Sequence, residues 1–416
     1  MVTVFIYLPG ETKAVPAGRY NYNAEDRSGS FIYLREYRSL SGAIPVDAVE
    51  FPLDMQEPRK TFINEGLHGA LRDSVPDLWG RLVIEKLHGL PVGAREPERL
   101  LLLSDASRVG NLDFRSSETD GEPEFGPPAV EQLNELIEAA ASIENDMKIS
   151  EHLRLLLLRG TSMGGARPKC LVEDGTGLWV AKLPSKYDTW NNARVEMAVM
   201  RLAESCGICV PEMRIEETER GDILLLRRFD REKTNKGYTR VGYLSALSVM
   251  GMDENEFNRH SYLHFAGRLK SYFPASWTPK QGEELFRRIL FNIFARNTDD
   301  HARNHGVLLR GGQVRLSPAF DITPREATSG VGTQFYLAMA IGPRGRLADV
   351  DNAIAGAPHF GLTPKKAAAI VFEVAEQVGR WKEYFESAGV NEKDTERFAA
   401  TFESLQRTVS VSSIFG

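Results

Sequence analysis

Residues Leu285–Asp321 read LFRRILFNIFARNTDDHARNHGVLLRGGQVRLSPAFD, and this stretch decides how the rest is read. Its first third places Leu285, Ile289 and Ile293, with Leu290 and Phe294, on one helical face, the pattern of a buried helix. That helix runs into a polar loop, Asn297-Thr-Asp-Asp-His-Ala-Arg-Asn304. Two short strands are expected next, Gly306–Leu309 and Gln313–Leu316, joined at Gly311-Gly312, a dipeptide suited to a tight hairpin. The unit closes on Asp321, which stands between Phe320 and Ile322 at the end of an apolar strand. Asp299 and Asn304 have the D-x-x-x-x-N spacing of a phosphotransferase catalytic loop. There an Asp serves as base and a neutral Asn oxygen as magnesium ligand. A solvated loop carboxylate, or helix C-terminal decoration by Asp299 and Asp300, would explain the short motif alone. The helix before it and the hairpin after it, which returns Asp321 to the loop, shift the balance toward a site with three oxygen donors.

Phosphoryl transfer also needs a phosphate cradle and a cation, and both are sought upstream. Gly160-Thr-Ser-Met-Gly-Gly-Ala-Arg-Pro-Lys169 is a glycine-rich turn without a Walker pattern. Small residues such as Gly164 and Gly165 let backbone N–H groups approach a phosphate, and Lys169 would add charge. The bland reading is a simple tight turn. Strands are expected over Lys169–Glu173 and Leu178–Leu183, followed by an amphipathic helix over Asn192–Ser205 and a strand over Ile223–Phe229. Lys182 falls within the otherwise apolar Trp179–Pro184, where an ammonium is costly unless it has a task. Glu196, 14 residues on, is a candidate to orient Lys182 or an ordinary helix carboxylate.

The 416-residue chain is long enough for two or three domains. Residues 1–110 read as a small domain rich in strands, with Val2–Leu8, Ser30–Leu34 and Ala48–Leu53 as candidates and a helical pattern over Gly66–Leu90. Residues 113–128 look like an acidic linker and Val130–Ile143 like a helix. Residues 150–235 form a second division and residues 236–416 a mainly helical third, including a helix opened by Thr363-Pro364. The formal net charge of −6 gives no support to autonomous nucleic-acid binding. Cys170, Cys206 and Cys209 are too few for a disulfide framework. Cys206-Gly-Ile-Cys209 lacks the second pair of a zinc site and reads as two small core residues. The N-terminal MVTVFIYLPGE reads as a strand and not a signal peptide, and no run is long enough to span a bilayer, so a cytoplasmic location without membrane association is expected.

Six ordered stretches resemble the HipA family of kinases, the toxin halves of bacterial toxin–antitoxin pairs. They are Ser162–Lys169, Ala181–Pro184, Gly207–Glu212, Arg228–Arg231, Thr298–Asn304 and Leu316–Asp321. The resemblance implies an α+β, bilobal protein-kinase-like fold with a mainly helical C-terminal lobe and a small strand-rich N-terminal subdomain. It implies Asp299 as catalytic base, and Asn304 and Asp321 as magnesium ligands. Ser162, Gly164, Gly165, Lys169, Lys182, Arg228, Phe229 and His301 would bind ATP, with Arg228-Phe229 at the adenine hinge. Ser162 would be autophosphorylated. Arg227 stands where some members carry an acidic residue. The implied cofactors are ATP and Mg2+. The implied partners are a small helix-turn-helix antitoxin of the HipB type, DNA reached mainly through it, and a protein substrate such as an aminoacyl-tRNA synthetase.

Two other readings remain open at this level. A kinase of a small molecule would share the Asp, Asn and Asp arrangement. A non-catalytic scaffold that binds an antitoxin or DNA would not need Asp299, Asn304, Asp321 and Lys182 together.

Overall fold

The apolar N-terminal run forms a strand, as its pattern requires. In the computed structural model, Val2–Tyr7 pairs antiparallel with Ala14–Asn23 on one side and Leu112–Arg115 on the other, and all six of its residues are buried. Ser28–Tyr33 and Arg59–Thr61 complete a five-stranded sheet. The structure describes residues 1–416 apart from 92, 94–95, 124, 161–164, 328–333 and 407–416. Two units emerge: Met1–Asp188, Glu216–Asp253 and Leu308–Gly312 in the first, Thr189–Ile215, Glu254–Val307 and Gln313–Gly416 in the second.

In the first unit a second sheet follows the order Lys169–Asp174, Gly177–Lys182, Gly221–Arg227 and Met213–Thr218, the last strand entering this unit at Glu216. Its core joins helix Leu78–His88 to helices Leu133–Glu144 and Glu151–Leu158. Trp79, Leu136 and Leu157 pack with Cys170, Val172 and Trp179 of the sheet.

Three local expectations are corrected. Ala48–Leu53 is a turn and not a strand, because the Asp47 carboxylate accepts the N–H groups of Val49 and Glu50 at 2.8 and 3.0 Å. The helical pattern of Gly66–Leu90 divides into Gly69–Asp73 and Leu78–His88 around Pro76, which cannot donate to a helix. Cys206 is buried, with its thiol pushed up to about 12 by burial, whereas Cys209 is exposed.

The first unit also buries charge. The Arg228 guanidinium donates Nε–H to Asp230 Oδ1 at 2.6 Å and Nη1–H to the Ser107 carbonyl at 2.7 Å. Arg231 reaches Asp230 at 2.8 Å and the carbonyls of Arg108 and Gly110 at 2.6 and 2.9 Å. The Gly110 N–H donates to Asp230 at 2.8 Å. Asp230 thus welds residues 107–110 of the N-terminal subdomain to the chain that leaves the second sheet. Burial raises the pKa of Asp230, but Arg228 and Arg231 win and hold it well below the usual carboxylate range.

The second unit is mainly helical. Thr278 caps helix Pro279–Phe294 by accepting from the Gln281 N–H, and Thr363 caps Pro364–Gly379 through Lys366. Trp381, Phe385, Phe398 and Phe402 form an aromatic core, with Trp381 and Phe402 stacked at 4.9 Å. Among the described residues no helix is long and apolar enough to cross a membrane.

Removing the Asp230 carboxylate would take their shared anion from two buried guanidiniums. Asp230→Ala is expected to cost about 3–5 kcal/mol of unfolding free energy, read by chemical denaturation. A loss within experimental error would mean that the aspartate does not fix this junction.

Candidate active site

Asn304 and Asp321 line one pocket of the second unit, together with Asn292, Asn297, Asp300 and His305. The backbone explains how. Helix Pro279–Phe294 ends at Ala295, and Arg296 turns the chain with φ +49°. The Asn304 N–H donates to the His301 carbonyl at 2.9 Å, and Asn304 Nδ2–H donates to the Asp299 carbonyl at 2.8 Å. The six-residue loop 299–304 is therefore closed on itself by its last residue. The donation also fixes which end of the Asn304 amide faces the protein, and its carbonyl oxygen is the end available to a cation.

Strands Gly306–Arg310 and Gln313–Leu316 follow, with Gly311 and Gly312 at φ +55° and +76° in the turn, and the Ser317 N–H closes the hairpin on the Gly306 carbonyl at 2.8 Å. Two further bonds hold the returning chain. Arg288 Nη2–H reaches the Ser317 carbonyl at 2.6 Å, and the Ala319 N–H reaches the Cys209 carbonyl at 2.7 Å. Asp321 ends this path at φ +53°, a left-handed conformation that costs a non-glycine residue about 1–2 kcal/mol. Strain of this kind persists where the surroundings over-determine it, and such places cluster at functional sites.

Asp299 and Asp300 point to different worlds. Asp299 and His301 are exposed, and the Asp299 N–H is held by Asn297 Oδ1 at 3.4 Å. Asp300 is 1% exposed. Its Oδ1 accepts the Ala338 N–H at 2.7 Å and its Oδ2 accepts the Tyr262 hydroxyl at 2.8 Å. Burial pushes the Asp300 carboxyl up to about 7, against the Ala338 and Tyr262 donors that favour its anion, and the Asp299 charge adds to the rise. Neither Asp300 nor Tyr262 stood out in the sequence. The adjacent carboxylates Asp299-Asp300 were the available signal.

In the first unit the register sets Lys169 directly opposite Lys182 on neighbouring antiparallel strands, so both project from one face, and they are 6% and 8% exposed. Like charges so placed disfavour the sheet. Gly165 has φ +105°, and a Cβ there would lie 2.4 Å from Lys169 Nζ. The backbone conformation thus requires the glycine, and the Lys169 ammonium is laid against it. Its N–H donates to Asp77 Oδ2 at 2.9 Å, while its carbonyl accepts the Trp79 N–H at 3.0 Å. The start of helix Leu78–His88 therefore pins the end of the glycine-rich turn. Ser162 and Gly164 lie outside the described residues. Arg228 directs its guanidinium at Asp230, and its N–H at the Leu178 carbonyl at 2.9 Å, while Phe229 is half-buried with its ring 6.3 Å from Tyr243. Glu196 is buried on helix Asn192–Ser205 and belongs to the other unit from Lys182.

The donors suit a magnesium nucleotide. One carboxylate and one amide oxygen are too few for a cage made by protein alone, and among the described residues no group of three His, Cys, Asp or Glu could hold a metal. Magnesium typically keeps waters and takes one or two carboxylates plus the substrate's phosphates, which matches an Asn and an Asp sharing a pocket.

The sequence profile described as HipA-like C-terminal domain matches residues 161–381, more than half of the chain. No curated protein sequence matches. Among solved structures, the HipA, HipB and operator DNA complex of the Shewanella oneidensis MR-1 toxin–antitoxin system gives a TM-score of 0.69 at 16% identity, over 98% of this chain and 96% of that one. The Helicobacter pylori proinflammatory kinase CtkA gives 0.38 at 12%, over 60% and 94%. The fold is thus α+β and kinase-like, of the kind seen in the first of these.

The raised Asp300 carboxyl fixes a pH dependence. Its folded value lies above that of an unfolded aspartate, about 3.9. Between the two values the folded chain binds more protons than the unfolded one. The stability linked to Asp300 is therefore greatest at low pH and lost as pH rises toward 7. Wild type should lose stability relative to Asp300→Asn between about pH 4 and pH 7, measured by denaturant unfolding. A constant difference across that range would contradict a raised carboxyl.

Proposed function

The chain belongs to the family of HipA-like C-terminal domain proteins, and on that premise we propose that it is an ATP- and magnesium-dependent protein serine/threonine kinase. The observation that carries the reading is the convergence of Asn304 and Asp321 on one pocket from the two ends of a hairpin. Asp299 stands exposed at the start of the same loop, where an incoming hydroxyl would meet it.

Each residue then has a task. Asp299 orients the acceptor hydroxyl and takes its proton. Asn304 and Asp321 hold magnesium, which neutralises phosphate charge. Lys169 and Lys182 contact the phosphates from the sheet, and developing charge on the transferred group strengthens that attraction. Gly165 keeps the turn low enough for the triphosphate, with Ser162 and Gly164 as the proposed remainder of the cradle. Phe229 lies against adenine, which backbone groups read at the hinge. Arg228 supports the hinge through Asp230. His301 is a further nucleotide contact, and Glu196 orients Lys182.

The partners in this reading are a small helix-turn-helix antitoxin, DNA reached through it, and a cytoplasmic protein substrate, with an aminoacyl-tRNA synthetase as one candidate. The complex of the Shewanella protein with HipB and operator DNA supports the first two. The net charge of −6 agrees with DNA contact made by the partner. Autophosphorylation at Ser162 belongs to the same proposal. Incubation of the purified chain with labelled ATP, magnesium and a cell lysate tests the whole. Labelled protein bands are expected. Label confined to small molecules would replace the protein acceptor with a metabolite, and no transfer at all would end the kinase reading.

Asp299→Asn is expected to abolish transfer while nucleotide affinity stays within about threefold, because the proton acceptor is lost and the phosphate contacts remain. Retained turnover would move the base elsewhere. Asp321→Ala is expected to lose the magnesium-dependent part of ATP binding, since Asp321 carries the charge that Asn304 lacks. Calorimetric titration with and without magnesium reads this, and unchanged affinity would displace the metal site.

A further inference from the structure

A buried hydroxyl in the second unit is bonded to the loop 299–304 and to the chain on either side of it. Tyr262 is fully buried on helix Tyr262–Tyr272. Its oxygen lies 2.8 Å from Asp300 Oδ2, 2.8 Å from His305 Nε2 and 3.0 Å from Asn292 Nδ2. A phenol has one proton to give and two lone pairs to receive. The Asn292 amide is oriented by its other end, where Oδ1 accepts Asn297 Nδ2–H at 3.0 Å, so its Nδ2 donates to the tyrosine. The tyrosine proton goes to the Asp300 carboxylate. The third neighbour is the Nε2 of His305, whose imidazole burial keeps neutral.

Two routes lead from this hydroxyl to Asp299. One runs through Asp300, its neighbour in sequence. The other runs through Asn292 and Asn297, whose Oδ1 accepts the Asp299 N–H at 3.4 Å. A third arm holds the far end of the loop, because His305 adjoins Asn304. Asp300 extends the network to Ala338, in a hairpin whose Ala340 pairs with His260 and Tyr262 through N–H to carbonyl bonds of 2.9 and 3.0 Å.

We propose that Tyr262 is the positioning residue of the catalytic loop, acting through Asp300, His305 and Asn292 to set Asp299 and Asn304 at their working separation. The proposal rests on the kinase reading for its catalytic consequence, but not for its structural one. Loss of one oxygen removes a partner from three buried polar groups, and no apolar replacement satisfies them. The loop then drifts. Small displacements of a base or metal ligand lower the rate far more than they lower substrate affinity.

Tyr262→Phe is the primary test, with Asp300→Asn as a second variant that keeps the fold if the first does not. Two readouts are taken well below each protein's unfolding temperature, so that all molecules are folded. The first is amide hydrogen exchange of peptides covering residues 296–306. The second is kcat against KM for Mg·ATP, with nucleotide affinity by calorimetry. Expected are faster exchange in those peptides and a kcat lowered about 10- to 100-fold, the usual effect of removing an outer-shell support, at nearly unchanged affinity. Unchanged exchange would overturn the proposal, and so would faster exchange with full kcat. A purely structural tyrosine would lower the unfolding temperature and move neither readout. If wild type transfers no phosphate, the kinase reading fails, and exchange alone then decides whether Tyr262 positions the loop.

Discussion

The hydroxyl of Tyr262 can make three hydrogen bonds, and in this fold it makes all three. That saturation constrains everything near it. A buried polar network stabilises only when complete, since each unmet donor or acceptor costs about 1–3 kcal/mol. Helix Pro279–Phe294 enters the network through Asn292, helix Tyr262–Tyr272 through Tyr262, the loop through Asp300 and His305, and the hairpin beyond through Ala338. None can shift alone without breaking one of these bonds. The exposed Asp299 thus adjoins a residue, Asp300, that is anchored through both of its carboxylate oxygens.

The first unit obeys the same rule with charge in place of neutral groups. Asp230 faces Arg228 and Arg231, while Arg240 and Arg115 lie over the rings of Tyr7 and Phe5 at 4.0 and 3.9 Å. Aromatic faces and carbonyls share in neutralising the guanidiniums, so the sheet-rich subdomain and the strand Gly221–Arg227 are held by interactions that tolerate little change in angle. Apolar packing around Trp79 supplies the bulk of cohesion, and the ionic groups fix its geometry. Trp79 contributes to both, because its indole N–H reaches the Lys169 carbonyl at 3.1 Å. Any movement of helix Leu78–His88 is therefore felt by the strand that carries Lys169.

Local chemistry was legible in the sequence wherever a residue acts on near neighbours. Gly311-Gly312 announced a hairpin and Thr363-Pro364 a capped helix. What escaped depends on distant partners. Asp300 looks like a loop residue until Tyr262, 38 positions away, gives it a reason to be buried. Asp230 and Arg228 read as part of a hinge, and their contacts about 120 residues upstream turn them into a junction. Ala48–Leu53 has strand composition, yet one carboxylate at Asp47 folds it into a turn. Periodicity carries no information about such long-range polar pairs, because any spacing is compatible with them.

The identity of residue 304 follows from the same accounting. Its side chain must donate to the Asp299 carbonyl to close the loop and still present an oxygen on the pocket side. A carboxylate there would set an anion against that carbonyl and against the nearby Asp321, while a lysine could close the loop but offer no ligand. An amide has one end of each kind. Asp321 can then supply the charge from the other end of the hairpin, in a left-handed conformation that the bonds at Ser317 and Ala319 hold in place. Two oxygens of different charge are thus delivered to one pocket by two differently anchored segments.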